Sequence, residues 1–172
     1  MYESISKIYK GMLFMFFDIN IFIDIIPDSI GVFMIASACK SLYESYGHDY
    51  FKWAQLLFAL LVPFAAVNDF YTLGLEYSII GYMYAIAHGV LFSLGLVYLF
   101  LGLTPYLKDF SFGKVKLLVV LNLTMTFMMT FKEFISQSYF GTGLVIISIF
   151  GLLATILVIL EIRLLKKQLE IQ

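Results

Sequence analysis

Long apolar runs separated by short polar segments dominate the chain. An α-helix needs about 20 apolar residues to cross the hydrocarbon core of a bilayer, and six segments are candidates for such crossings. We predict an all-α polytopic membrane protein, in which one transmembrane domain over residues 1–172 forms a six-helix bundle. The first helix is short in its apolar part and interrupted by polar residues. The predicted helices cover approximately 4–26, 29–46, 51–70, 77–103, 115–135 and 141–165.

The composition supports a membrane environment. Hydrophobic residues make up 62% of the chain and charged residues 13%, against about 25% charged residues in soluble domains. So few charges could not cover a water-exposed surface. The net charge of −1 indicates no nucleic-acid partner. The single Cys39 is interpreted as a small packing residue, and without zinc-ligand spacing or a Gly-rich phosphate loop no cofactor is expected.

The basic residues predict an orientation, because cytoplasmic loops retain Lys and Arg. If the chain starts in the cytoplasm and crosses six times, only Lys132 falls on the outer side. The ten remaining basic residues fall on the cytoplasmic side: Lys7, Lys10, Lys40, Lys52, Lys108, Lys114, Lys116, Arg163, Lys166 and Lys167. We therefore expect both termini in the cytoplasm.

Polar residues inside the first predicted helix are candidates for ligand binding. Counting a rise of about 1.5 Å per residue places Asp18 about 12 Å below the outer end of that helix. Asn20 and Asp24 are four residues apart and share a helix face. A carboxylate at that depth is costly and usually marks a pathway or a partner. The alternative is that the first helix ends early, which leaves Asp18 in an outer vestibule or at the interface.

His88 is a second candidate, at an estimated depth of about 15 Å in the fourth helix. It belongs to a seven-residue series with Gly81, Gly95 and Gly102. Such a stripe of small residues allows close helix packing. If the first and fourth helices are neighbours, His88 and Asp18 could share a proton or bind a ligand. The alternative is a packing histidine that is hydrogen-bonded across a helix interface.

A further group of charged residues lies at the outer helix ends. Asp28, Asp69, Lys132 and Glu133 are predicted near one membrane level, where an acidic mouth would attract cations. Ordinary solvated helix ends, with Asp28 as the N-cap of the second helix, are the alternative. No particular metal is indicated. In the fifth helix, Asn122 and the threonines near it are expected to bond across helices.

The segment Ile26-Pro27-Asp28-Ser29-Ile30-Gly31 carries a resemblance. It resembles small multi-pass membrane proteins of low-GC Gram-positive bacteria in which an aliphatic-Pro-Asp-x-Ile-Gly signature joins the first two helices. The resemblance covers about the first 45 residues. It implies a fixed helix-breaking corner and location in a bacterial cytoplasmic membrane, and it implies no catalytic residue.

Three classes of function follow from these features. The first is a protein that binds a cation or small solute from the outer face, as a transporter or transporter subunit. The second is a non-catalytic interaction protein, such as an immunity, assembly or regulatory partner of another membrane protein. The third is an intramembrane aspartyl hydrolase that uses Asp18 or Asp28 with Asp69, since two carboxylates can share a proton. No catalytic motif surrounds these aspartates, so we expect no enzyme activity, and the lipid bilayer is the expected partner.

Overall fold

A computed structural model of the chain describes residues 1–16, 28–70, 79–106, 112–130 and 137–170. Over these residues the fold is all-α, which confirms the predicted class and the presence of six helices. A short 3-10 helix at Thr104–Tyr106 follows the fourth helix. The helices are α1 (Tyr2–Phe16), α2 (Asp28–Tyr46), α3 (Asp49–Phe70), α4 (Ile79–Leu103), α5 (Phe112–Thr130) and α6 (Gln137–Glu170).

The observed helix bounds differ most from the predicted ones in the last helix. α6 spans Gln137–Glu170, so it begins four residues before and ends five residues after the predicted segment 141–165. The apolar run marks only the part suited to lipid. The helix continues into a turn rich in Lys, Leu, Gln and Glu because these residues are good helix formers. The part of the first predicted helix from residue 17 onward lies outside the described residues.

The connection between α2 and α3 shows how a local signal ends a helix. Gly47 has a φ of 68°, a conformation that glycine adopts at no steric cost. Its backbone N–H donates to the carbonyl of Tyr43 at 2.8 Å, which closes the end of α2. The N–H of Phe51 then donates to the carbonyl of His48 at 3.0 Å in the first turn of α3. Two residues thus separate consecutive helices, which makes α2 and α3 close neighbours.

The six helices form a closed ring. Each helix packs against the next in the chain, and α6 packs against α1. Lys166 of α6 lies over the rings of Tyr2 and Tyr9 of α1, at 5.7 and 5.8 Å from their centroids. The Tyr2 hydroxyl donates to the Glu170 carboxylate at 3.4 Å. The first and last helices are thereby joined by cation–π and polar contacts.

Several helix termini lie together at one end of the bundle. Tyr46 at the end of α2 packs against Tyr106, which follows α4, with ring centroids 5.1 Å apart. Near this end Lys114 of α5 forms an ion pair with Glu161 of α6. We call this the basic end. Exposed basic side chains lie in the helix segments that lead to it: Lys7, Lys10, Lys40, Lys52, Lys116, Arg163 and Lys167.

Close backbone approach holds neighbouring helices together. A Cβ at Gly95 would lie 3.0 Å from the ring of Phe58, and one at Gly102 would lie 2.6 Å from the ring of Phe51. Both glycines therefore face α3. Gly81 also belongs to α4, but its surroundings lie outside the described side chains.

The interface between α1 and α2 is tighter still. A Cβ at Gly11 would lie 2.6 Å from the carbonyl oxygen of Gly31, and a Cβ at Gly31 would lie 2.6 Å from the carbonyl oxygen of Gly11. The two backbones therefore meet with no room for a side chain between them. Small residues allow this closeness in membrane helices, where packing contacts drive association.

The outward faces of α2 to α6 are largely apolar, whereas α1 exposes Glu3, Lys7 and Lys10. Large side chains such as Phe33, Met83 and Val120 are 62%, 67% and 59% exposed. Such surface exceeds the scattered apolar residues that soluble monomers display. The longest exposed apolar face belongs to α6, and it consists of Val145, Ile146, Ile149, Phe150, Leu152, Leu153, Leu157, Leu160 and Leu164.

Two segments of the described chain, Ile86–Tyr106 and Val145–Glu170, are long and apolar enough to cross a membrane. The core helix of a soluble protein meets the same criterion, so these segments point to a membrane location only in general terms.

Candidate functional site

Most of the charged candidates lie beyond the described residues. Asp18, Asn20 and Asp24 fall in 17–27, and Lys132 and Glu133 fall in 131–136. A ligand site built from these residues therefore stays a prediction.

The two other members of the outer group belong to described helices. Asp28 begins α2 and is half-buried. Asp69 lies in the last turn of α3, and its side chain lies outside the described part. Among the residues that the structure describes, no group of three or more His, Cys, Asp or Glu side chains is placed to hold a metal ion.

His88 belongs to an aromatic group between α3 and α4. It is half-buried, and its ring stacks on Tyr84 with a centroid distance of 6.3 Å and an interplanar angle of 26°. Tyr84 packs against Phe64 at 5.5 Å, and its hydroxyl donates to the carbonyl of Phe64. α1 packs mainly on α2 and α6, and α4 mainly on α3 and α5. Any contact between the first helix and His88 would therefore have to cross the inside of the ring.

A polar contact joins α4 to α5. The Asn122 side-chain amide donates to the Gly89 carbonyl at 3.1 Å and to the Ser93 hydroxyl at 2.9 Å. Ser93 is buried, with 2% of its surface exposed. Asn122 thus bonds across helices as its position in the sequence predicts. The Thr124 hydroxyl donates instead to the Val120 carbonyl of its own helix, at 2.8 Å.

The structure adds a site that the sequence did not suggest. A cavity of about 320 Å³ opens inside the ring, between α1, α4, α5 and α6. It is lined by Met12, Met15, Phe92, Leu118, Leu152 and Thr155. Five of these side chains are apolar, and the sixth carries one hydroxyl group.

The cavity lies far from the basic end of the bundle and is open on one side, since its lining residue Leu152 is 52% exposed. A rise of about 1.5 Å per residue places Met15, Phe92 and Thr155 about 16 to 22 Å from the ends of their helices nearest the basic end. A Cβ at Gly151 would meet nothing within 4 Å, whereas one at Gly95 would crowd a ring on α3.

The single hydroxyl of the lining is oriented by its own helix. Thr155 Oγ1 donates its hydrogen to the carbonyl of Gly151 at 2.9 Å. Threonine commonly bonds to the carbonyl four residues back in this way. The hydrogen is thereby occupied, and the lone pairs of the oxygen are the acceptors that the lining offers.

No sequence signal identified this cavity. Met12 and Met15 read as helix filler, and Phe92, Leu118 and Leu152 are ordinary apolar residues in apolar runs. Their convergence depends on the rotation of four helices about their axes.

Comparison of the chain with protein-family models, with curated proteins and with solved structures finds no match.

Proposed function

We propose that this chain is an integral membrane protein with six crossings and both termini in the cytoplasm, and that it binds a small apolar solute in its central cavity without catalysis. The observation that carries the proposal is the cavity of about 320 Å³ with its apolar lining. Small-molecule pockets begin at about 300 Å³ and are mostly apolar, with few polar groups. An engineered apolar cavity of about half this size stays dry and binds benzene.

The helix surfaces support the membrane part of the proposal. Helices α3, α4 and α5 are apolar toward the core and toward the outside, which is typical of membrane spans rather than of amphipathic surface helices. Lipid chains would cover the exposed faces of α3, α4, α5 and α6 without cost. The basic end would face the cytoplasm, where Lys and Arg are retained.

A solute-binding role for the acidic residues extends the same proposal. Asp18 follows Met15 of the cavity lining by three residues in the chain, and Asn20 and Asp24 come next. We propose that solutes enter from the outer face, where these residues and the outer acidic group would influence the choice of solute. The function would then be that of a small transporter or of its binding subunit.

Cysteine labelling tests the six-crossing arrangement. In a Cys39→Ala background, cysteines introduced at Glu76 and Ser138 should react with an impermeant maleimide added to intact cells. Cysteines at His48 and Lys108 should react only after the cells are opened. Labelling at Lys108 in intact cells would refute the proposed orientation.

Methyl NMR tests the cavity. The chain contains eight methionines, and two of them, Met12 and Met15, line the cavity. With ¹³C-methyl methionine in detergent-solubilised protein, benzothiophene should shift these two resonances in a saturable way. Met83 is 67% exposed on the outside, so its resonance reports simple partitioning into detergent.

A matched pair of variants completes this test. Leu118→Trp should fill the cavity and abolish the saturable shifts, whereas Leu117→Trp places the same side chain on the exposed face of the same helix and should leave them intact. Linear shifts at Met12, Met15 and Met83 alike would mean that the cavity binds nothing, and the proposed function would fail.

A further inference from the structure

We propose that the solute is an apolar molecule of about the size of a two-ring aromatic compound, which carries one N–H or O–H donor directed at the oxygen of Thr155. This inference rests on the proposed function, because it names the chemical class that the same cavity would select. It goes beyond an apolar fit, since it assigns one atom of the lining as the specificity determinant.

The cavity contains few polar groups. Among the described residues that line the cavity, Thr155 is the one with a polar side chain. Two of the other lining residues are methionines, whose thioether sulfur accepts hydrogen bonds only weakly. The remaining three are Phe92, Leu118 and Leu152, which offer none. A hydrogen bond to a bound solute would therefore involve Thr155.

The hydrogen bond that Thr155 already makes favours one direction for a bond to the solute. The Thr155 hydroxyl already donates to the Gly151 carbonyl at 2.9 Å. A solute that donates to Thr155 Oγ1 adds a hydrogen bond and leaves the existing one in place. A solute that only accepts must turn the hydroxyl away from Gly151, so it exchanges one bond for another. Only a solute that donates a hydrogen bond therefore gains a net bond. The two aligned hydrogen bonds, from the solute to Thr155 and from Thr155 to Gly151, also strengthen each other.

The volume of the cavity and its lack of charge limit the solute further. A cavity of about 320 Å³ exceeds what a single benzene ring needs by about a factor of two, judged from the engineered cavity that binds benzene. The lining described here supplies no charged side chain, and a buried ion without a partner is costly. A neutral molecule with one donor on an apolar frame fits these conditions.

Two ligands of matched shape test the inference. Indole and benzothiophene have nearly the same outline, but only indole carries an N–H donor. We expect indole to bind the wild-type protein about two- to tenfold more tightly than benzothiophene, the range that one net hydrogen bond supplies. Affinities come from the saturable shifts of the Met12 and Met15 methyl groups.

The variants at position 155 locate the effect. Thr155→Val keeps the shape of the side chain and removes the oxygen, so it should weaken indole by that factor and leave benzothiophene unchanged. Thr155→Ser keeps the hydroxyl and should retain the preference for indole. Comparing each ligand between variants cancels its partitioning into detergent.

The outcomes separate this inference from the proposed function. If neither ligand shifts Met12 and Met15 in a saturable way, the cavity does not bind such solutes and both proposals fail. If both bind equally, or if the preference survives in Thr155→Val, the cavity function stands and the inference is overturned. An equal gain for quinoline, which only accepts, would show that the hydroxyl turns to donate, and would also overturn it.

Discussion

A single added methyl group should have opposite effects at two glycines. Gly102 of α4 lies against α3, where a Cβ would come within 2.6 Å of the buried ring of Phe51. Gly151 of α6 faces open space, where a Cβ would meet nothing within 4 Å. We expect Gly102→Ala to destabilise the protein and Gly151→Ala to stabilise it or leave it unchanged.

The magnitude follows from comparing the two variants. Replacement of glycine by alanine inside a helix gains about 0.8 to 1.0 kcal/mol from helix propensity, and this gain is common to both sites. At Gly102 the methyl group must also be moved about 1 Å farther from the ring of Phe51 to reach ordinary carbon–carbon contact. Overpacking of this kind costs about 1 to 3 kcal/mol. Since the propensity gain cancels, Gly102→Ala should be about 1 to 3 kcal/mol less stable than Gly151→Ala.

The native cysteine provides the assay. Cys39 on α2 is fully buried, so a thiol-reactive fluorophore should label it only when the bundle opens. Unfolding would be followed by this labelling during a titration with denaturing detergent. Phe51→Leu should reduce the loss caused by Gly102→Ala, because the smaller side chain relieves the clash. Equal stability of the two alanine variants would refute the close α3–α4 contact.

Two further predictions use the same assay. Gly31→Ala should destabilise the protein more than Gly102→Ala. The methyl group would lie 2.6 Å from the carbonyl oxygen of Gly11, and a backbone atom cannot rotate away as a ring can. A smaller loss of stability than in Gly102→Ala would argue against the backbone contact. Asn122→Leu and Ser93→Ala should be coupled in a double-mutant cycle, by about 0.6 kcal/mol and at most about 1.7 kcal/mol, as for other hydrogen bonds between membrane helices. Independent effects of the two changes would mean that the 2.9 Å contact contributes nothing to stability.

The sequence alone determined the class of the fold and most helix positions. Apolar runs of helical length, interrupted by polar segments, predicted an all-α chain, and the six helices are present in the described residues. These features are local. The length of an apolar run, and the end of a helix at a glycine, depend only on residues that are close together in the chain. Gly47 ends α2 through its own backbone conformation. Asn122 was also identified, since an amide in an apolar run needs a partner.

The sequence indicated which residue types were unusual, but not which of them meet. Charged residues such as Asp18 and Asp24 were identified as candidates because burying a carboxylate in the hydrocarbon of a membrane costs free energy. The cavity is built instead from common residues such as Met12, Phe92 and Leu118, which no composition or spacing rule distinguishes from ordinary core. The ion pair between Lys114 and Glu161 joins residues far apart in the chain and was likewise not anticipated.

Only the tertiary structure decided the closure of the ring and the position of its cavity. A helix that is apolar on every side carries no amphipathic pattern to show which face turns inward. The rotation of α6 that brings Thr155 to the cavity, and the contact of α6 with α1, follow from the packing of all six helices together. The glycine contacts have the same origin, because Gly11 and Gly31 matter only once two backbones meet at those positions.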